Sequence, residues 1–475
     1  MPDKPILVVD VDGTLIKTDL LHESFWSAFS EDANTILATI KSLIVGKAHL
    51  KAQLARQVEI DATRLPYNEA VLDIVRAWRA EGGRTALVTA SDQKYARAIS
   101  DHLGLFDEVY SSDGVRNLKG KEKAQFLVER FGAGHFDYVG DARADLPVWK
   151  CARRAITAGV PEALRRAVEA VSSDVQHLQT ERRNWLAYAR ALRPHQWLKN
   201  ILIFVPVIAA QDLSAETWLS AVLAFVAFSL VASAVYVLND LLDLEADRGH
   251  PRKKNRPLAS GDVSLAHGML MVPVLLGLGA VFAVFVGQWK FLGILAAYSL
   301  ATTAYSLTLK RKLILDICTL AVLYTTRLLA GSVATGITLS VWLLAFSIFF
   351  FLALAAVKRQ AELVDGLAAG RDQAARRAYH VDDLPIVAMM AIASGYVAVL
   401  VLALYINTPA VQDLYHHSSL LWGVCLVLLY WISRMVMIAH RGQMHDDPIV
   451  FAVRDRTSHV CGAVIAGIIV AGSIA

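Results

Sequence analysis

Over residues 5–160 the apolar positions fall in short β-branched runs separated by stretches with helical spacing. The runs at 6–10, 85–89, 108–111, 138–140 and 155–158 read as strands and the segments between them as helices. This alternation predicts an α/β, Rossmann-like domain over residues 1–160, with a parallel sheet covered by helices on both faces. Residues 20–80, between the first two strands, show helical spacing at 24–29, 33–45, 48–60 and 69–81 and predict a helical cap. Leu20, Leu21, Phe25, Trp26 and Phe29 there read as a helix core face, with an apolar rim as the alternative. Beyond residue 200 the pattern changes to long apolar runs at 200–211, 217–238, 266–287, 291–308, 313–336, 340–357, 386–405, 418–438 and 459–475. They predict an all-α polytopic membrane domain of about nine transmembrane helices over residues 196–475. The first run is short and contains Pro206. Residues 161–195 join the two halves. Arg165, Arg166, Arg182, Arg183, Arg190 and Arg193 interleave there with Trp185, Leu186, Tyr188 and Leu192, the pattern of an amphipathic helix at a membrane interface. Trp197 and Lys199 read as interfacial anchors.

Composition agrees with this division. Of 475 residues 55% are hydrophobic, too many for an ordinary soluble protein, and the net charge of +4 calls for no nucleic-acid partner. The four cysteines are scattered, without disulfide or metal-ligand spacing. The first residues lead directly into a strand rather than a signal-like apolar stretch, so the amino-terminal side is expected in the cytoplasm. With that side inside, the loops expected on the cytoplasmic face hold Arg248, Arg252, Lys253, Lys254, Arg256, Lys310, Arg311, Lys312, Lys358, Arg359, Arg371, Arg376, Arg377, Arg434, Arg441, Arg454 and Arg456. The opposite loops offer only Lys290. This asymmetry predicts a multi-pass protein with its soluble domain facing the cytoplasm.

The candidate chemistry begins at Asn239, Asp240, Asp243 and Asp247, where an apolar run reaches water. Three- and four-residue spacings place all four on one side of a helix. Carboxylates gathered this way repel unless a cation lies between them, and hard oxygen donors suit Mg²⁺. His250, Lys253, Lys254 and Arg256 follow at once and suit phosphates bridged by that cation. An acid–metal–phosphate–base arrangement at a membrane edge points to chemistry on a phosphorylated substrate.

In the soluble half polar residues collect where strands end: Asp10-Val11-Asp12-Gly13-Thr14, Thr89-Ala90-Ser91, and Gly140-Asp141 with Asp145 four residues on, with Lys119, Lys121 and Lys123 before the last group. In order and placement these motifs resemble those of the haloacid-dehalogenase superfamily of phosphatases. The resemblance implies that Asp10 is the phosphoryl-accepting nucleophile and Asp12 the general acid and base. It also implies that Thr89 and a lysine hold phosphate oxygens, and that Asp10, Asp141 and Asp145 form an Mg²⁺ site. Lys123 is assigned because it opens a helix, with Lys119 and Lys121 as alternatives. An insertion at 20–80 is similar to the helical cap of phosphatases that act on small molecules.

The span count and the Asn-Asp-x-x-Asp-x-x-x-Asp motif resemble the UbiA superfamily of intramembrane prenyltransferases. The second Asp-rich motif usual there is missing. In its place stand Lys358, Arg359 and Glu362, with Tyr305 and Lys310 closing the fourth run. Together with Arg193-Pro-His-Gln-Trp-Leu-Lys-Asn200 and His250-Pro-x-Lys-x-x-Arg-Pro257, this looks like the decaprenyl-phosphate phosphoribosyltransferase branch. That resemblance implies phosphoribosyl pyrophosphate and a polyprenyl phosphate lipid as substrates. Lys199, His250, Lys253, Arg256, Tyr305, Lys310, Lys358 and Arg359 would then serve phosphates, and Glu362 a ribose hydroxyl or metal water. The expectation is a bifunctional bacterial inner-membrane transferase and phosphomonoesterase, with homo-oligomerisation left open. The alternative is an aromatic prenyltransferase of quinone or haem synthesis with a regulatory, inactive phosphatase-like domain.

Overall fold

The structure, a computed structural model, describes residues 5–32, 34–112, 118–179, 185–370, 377–444 and 447–473. Arg182, Arg183, Arg371 and Arg376 lie outside the described residues. The chain divides into two compact units, residues 1–192 with 236–273, and residues 193–235 with 274–475.

The first unit is built on a six-stranded, wholly parallel sheet. Its strands are β1 (Ile6–Val9), β2 (Thr85–Asp92), β3 (Glu108–Ser112), β4 (Phe136–Gly140), β5 (Arg154–Ala158) and β6 (Val175–Leu178), in the order β3-β2-β1-β4-β5-β6. β1 lies between β2 and β4 and is buried on both faces, which explains its unbroken apolar run. Leu7 and Val9 enter one layer with Val71, Val75 and Ile99. Ile6 and Val8 enter the other with Leu127, Phe136 and Trp149. The strand order reverses between β1 and β4, and in open parallel sheets the crevice at the carboxyl ends of such a pair receives the ligand.

Helices α1 (Leu20–Glu31), α2 (Thr35–Val45), α3 (Lys47–Gln57) and α4 (Glu69–Ala80) fill the stretch between β1 and β2, as the spacing predicts. They are followed along the chain by α5 (Gln93–Leu103), α6 (Lys121–Phe131), α7 (Leu146–Cys151), α8 (Glu162–Glu169) and α9 (Trp185–Ala191). The segment 161–195, expected to be helical throughout, contains β6. Its four residues pair with β5, Ala155 opposite Val175 and Ala158 opposite Leu178. A four-residue edge strand is too short to show its period in the sequence. Trp185 and Leu186 of α9 are exposed.

The membrane half contributes α10 (Val205–Ala209), α11 (Ala215–Leu242), α12 (Leu244–Arg248), α13 (Leu265–Phe285), α14 (Trp289–Leu307), α15 (Leu315–Thr335), α16 (Val341–Ala368), α17 (Leu384–Ile406), α18 (Pro409–Leu414), α19 (Trp422–His440), α20 (Pro448–Arg454) and α21 (Arg456–Ser473). Among the described residues, seven helices are long and apolar enough to cross a membrane: α11, α13, α15, α16, α17, α19 and α21. The run expected as a first span, 200–211, is instead a 3₁₀ segment, Pro194–Phe204, followed by the five-residue α10. The 3₁₀ segment packs directly on α15 at Gly331, where a Cβ would fall on the Ile203 carbonyl. The run expected at 291–308 is α14, 19 residues long, with Ser299, Thr302, Thr303 and Ser306 breaking its apolarity.

Trp149 is wholly buried, its ring edge-on to Tyr138 and its indole N–H on the Ile156 carbonyl. Trp149→Ala should therefore remove about 3–5 kcal/mol from the soluble unit. A denaturation curve of the purified protein followed by tryptophan fluorescence measures this; an unchanged midpoint would contradict the packing described.

Candidate functional site

The first candidate site lies at the sheet crevice. Asp10 follows β1, and Gly13 (φ 77°) turns the chain so that Thr14 Oγ1 reaches Asp141 Oδ1 at 3.1 Å. A Cβ at Gly13 would run into the Asp141 carboxylate, so the turn needs glycine twice over. Lys123, in the first turn of α6, is buried and donates to Asp10 Oδ1 at 2.8 Å and to the Tyr138 hydroxyl at 3.1 Å. Tyr138 in turn donates to Asp145 Oδ1 at 2.9 Å, and the Ala142 N–H holds the other Asp145 oxygen at 3.1 Å. Of the three lysines weighed from the sequence, Lys123 is the one that enters this network; Lys119 lines the same cavity. Asp12 accepts from the Ser91 hydroxyl at 2.5 Å and the Leu20 N–H at 2.8 Å, with Thr89 Oγ1 at 3.4 Å. Thr14, Ser91 and Tyr138 were not singled out as site residues from the sequence. Thr14 and Ser91 sit inside the motifs already read, whereas Tyr138 looks like any core aromatic of a strand.

The electrostatics follow from this crowding. Ligand atoms of Asp10, Asp141 and Asp145 all lie within 4.8 Å of one another, the one three-acid group of that kind among the described residues. Burial, then the charges of Asp10 and Asp145, push the Asp141 carboxyl up to about 8. Burial also raises Asp145, with Asp10 adding to it. Burial and neighbouring Asp19 push Asp12 up to about 6. Burial alone would lower the Lys123 ammonium, but Asp10 and Asp145 outweigh it and raise it. Three carboxylates held this close, two of them pushed toward the neutral form, fit a divalent cation that would restore their charge.

The second candidate site is the acidic stretch at the end of α11. A nearly continuous helix carries it: the Asp243 N–H reaches the Asn239 carbonyl at 2.9 Å and the Asp247 N–H the Asp243 carbonyl at 2.8 Å. The helical run is interrupted at Asp243, which caps α12 with φ −100° and ψ 13°. Asp240 and Asp247 are buried and converge on one atom, Nη1 of Arg256, at 3.1 and 2.5 Å. The buried Asn239 Oδ1 has no hydrogen-bond partner. Two convergent carboxylates and an unsatisfied amide oxygen fit a divalent cation. Arg256, expected on a phosphate, here joins its own carboxylates. His250 Nδ1 caps the N–H groups of Arg252 and Lys253 at 3.2 and 3.3 Å, and Lys253 is exposed. Burial, helped by Lys253 and Arg252, lowers the His250 imidazole, which suits that acceptor role.

In the second unit the expected phosphate-binding residues form two clusters. Lys199 and Lys358 share Asp447 Oδ2 at 2.8 and 3.2 Å, and the Tyr324 hydroxyl donates to the same carboxylate. The two ammonium groups overcome the effect of burial and hold the Asp447 carboxyl far below the usual range. Separately, Tyr305 donates to Asp316 Oδ1 at 2.8 Å, Arg377 to the same oxygen at 2.8 Å, and Arg359 Nε to Asp316 Oδ2 at 2.8 Å. Glu362 pairs with Arg359 and, at 3.2 Å, with Arg377. Arg359 was expected to face a phosphate. It is fully buried on Asp316 and Glu362, because an unpaired guanidinium between packed helices would be costly. Lys310 is half-buried in the turn after α14. Asp316, Arg377 and Asp447 were not among the expected site residues; an acid three residues into the apolar run 313–336, as at Asp316, was the available signal.

Comparison with known proteins gives two family matches: UbiA prenyltransferase family over residues 201–453, and haloacid dehalogenase-like hydrolase over residues 7–150. Over 468 residues the chain is 38% identical to the uncharacterized protein y4nM of Sinorhizobium fredii, which spans 97% of this chain and 89% of that protein. It is 41% identical over 281 residues to the nodulation protein NoeC of Azorhizobium caulinodans, covering 58% of this chain and 90% of the relative. It is 39% identical over 181 residues to decaprenyl-phosphate phosphoribosyltransferase of Mycobacterium tuberculosis, covering 37% of this chain and 59% of the relative.

Asp12 and Asp141 bind protons more tightly in the fold than in the unfolded chain, where carboxyls titrate near 3.8. The cation-free protein should therefore lose stability as pH rises from that range through about 6 and about 8. Melting curves at pH 5 to 9, with and without millimolar Mg²⁺, should show a falling Tm that the cation largely restores. A Tm indifferent to both pH and cation would contradict the clustering.

Proposed function

Because the chain belongs to the UbiA prenyltransferase family and carries a haloacid dehalogenase-like hydrolase domain ahead of the membrane half, we propose a bifunctional membrane enzyme. The membrane half transfers 5-phosphoribose from phosphoribosyl pyrophosphate to polyprenyl phosphate, and the soluble half then removes the 5-phosphate. The observation that carries this reading is the convergence of Asp240 and Asp247 on Arg256, in a loop rich in cations, together with the buried, unsatisfied oxygen of Asn239 next in sequence to Asp240. The likeness to a decaprenyl-phosphate phosphoribosyltransferase supports the choice of substrates.

In the transfer, an oxygen of polyprenyl phosphate bonds to the ribose anomeric carbon as the bond from that carbon to pyrophosphate breaks. Asn239, Asp240, Asp243 and Asp247 would hold Mg²⁺ for this step, and Asp10, Asp141 and Asp145 for the hydrolysis; bound there it supplies charge neutralisation at the phosphate oxygens. His250 orders the turn that presents Lys253. In the second unit Lys199 and Lys358 bring two positive charges to the one carboxylate of Asp447, leaving a positive balance for a phosphate. The Asp316–Arg359–Arg377–Tyr305 cluster braces α15 against α16.

In the hydrolysis the Asp10 carboxylate attacks phosphorus and the bond to the sugar oxygen breaks. Asp12, at about 6 close to working pH, gives that oxygen its proton. It then takes a proton from the water that opens the aspartyl phosphate, releasing inorganic phosphate and restoring Asp10. Lys123 fixes the Asp10 carboxylate, and Ser91 and Thr89 fix Asp12. The protein is a multi-pass membrane protein; on this reading both reactions face the cytoplasm of a bacterial inner membrane.

With labelled phosphoribosyl pyrophosphate and polyprenyl phosphate, Asp10→Asn should still form the phosphorylated lipid but release phosphate from it about a thousandfold more slowly. Asp240→Asn should slow lipid formation about a hundredfold and leave phosphate release from preformed product intact. Phosphate release that survives Asp10→Asn, or no labelled lipid with the native protein, would overturn the reading.

A further inference from the structure

The crevice holding Asp10 and Asp12 opens into a cavity of about 890 Å³, large enough for a phosphorylated sugar and its linking phosphate. The phosphatase-like sheet and cap supply only part of its lining. Ala187 and Arg190 of α9 form one wall, and Gly261, Asp262, Ser264 and Leu265, from the loop after the acidic stretch and the first turn of α13, form another. α13 is one of the seven helices apolar enough to cross a membrane. A cavity whose rim is the start of a membrane helix suits a head group whose tail stays in the bilayer.

That wall is fastened to the cap. Arg248 forks onto Glu23 of α1 with bonds of 2.8 and 2.6 Å, and both side chains are more than nine-tenths buried. Glu23 also accepts from Thr18 Oγ1 at 2.6 Å, and Arg248 Nε donates to the Ala259 carbonyl at 3.0 Å, two residues before Gly261. Gly261 (φ 79°) lies against Lys17, where a Cβ would come within 2.6 Å of the lysine Cβ. Arg190 meets Asp262 at 3.4 Å, and the Tyr188 hydroxyl meets His267 Nδ1 at 2.6 Å. A two-bond buried ion pair holds its partners in one geometry far better than an exposed pair does.

We propose that loop 259–266, held by the Arg248–Glu23 pair, is the substrate-selecting wall of the phosphatase cavity. It makes the site specific for phosphomonoesters borne on a membrane lipid and disfavours the same sugar phosphate free in solution. This rests on the phosphatase reading above and adds the determinant of its selectivity. Neither Arg248 nor Glu23 lines the cavity. They are positioning residues, and loosening them changes which substrate is preferred rather than the chemistry.

The test compares phosphate release by the full-length protein in detergent micelles from polyprenyl-phosphoryl-5-phosphoribose and from ribose 5-phosphate. The native protein should favour the lipid-borne ester in kcat/KM by at least roughly tenfold. Arg248→Ala and the near-isosteric Glu23→Gln should both shrink that ratio, with turnover of ribose 5-phosphate preserved or raised, and the paired exchange Glu23→Arg with Arg248→Glu should recover it. Equal use of both esters by the native protein overturns the proposal, as does a ratio unmoved by both single variants or a parallel loss on both substrates. If the native protein hydrolyses ribose 5-phosphate but not the lipid ester, the phosphatase reading itself fails, a result distinct from a lost ratio.

Discussion

Carboxylates do not gather in a protein interior without positive charge between them. At about 5 Å in a medium of effective dielectric about 20, two of them repel by roughly 3 kcal/mol. The chain makes such a gathering at two places. Asp10, Asp141 and Asp145 meet at the carboxyl ends of β1 and β4, with the Lys123 ammonium in contact with Asp10 and Asp145. Asp240 and Asp247 meet at the end of α11, with Arg256 between them. In each case an internal cation satisfies part of the charge. In one the acids are pushed toward neutrality, and in the other an amide oxygen is left without a donor. Both features fit the further cation proposed above.

The two gatherings share a structural unit. The acidic stretch and its following loop, residues 236–273, belong with the α/β domain rather than with the bulk of the membrane helices. The Arg248–Glu23 pair follows directly from that arrangement, since Arg248 is next in sequence to Asp247. On the proposed reading, a lipid product made at one centre would stay in the bilayer, and a phosphatase on the same chain would meet it at a high effective concentration.

Much of this was legible in the sequence. β1 reads as a strand because both its faces are buried, and the strand-ending acids declare the crevice because in a parallel sheet the carboxyl ends of the strands line the active site. The cap helices and five of the six strands follow from periodicity alone. What escaped depended on contacts distant in sequence. β6 is stabilised by pairing with β5 more than by its own four residues. The apolar run 200–211 reads as a short span, but its first residues belong to the 3₁₀ segment packed on Gly331 and the rest holds only the five-residue α10, with Pro206 in its first turn. Arg359 and Arg256 carry charges that suggest a phosphate, and only the fold places Asp316, Asp240 and Asp247 within their reach. A charge in a sequence shows that a partner is needed, not which partner it has.

The central claim, two separate carboxylate centres each completed by a divalent cation, is tested most directly by counting bound Mn²⁺ by electron paramagnetic resonance in the metal-stripped, full-length protein. The account predicts two classes of site, with Asp141→Asn removing one and Asp240→Asn the other while each leaves its counterpart intact. A single class, or a count that neither substitution alters, would contradict it.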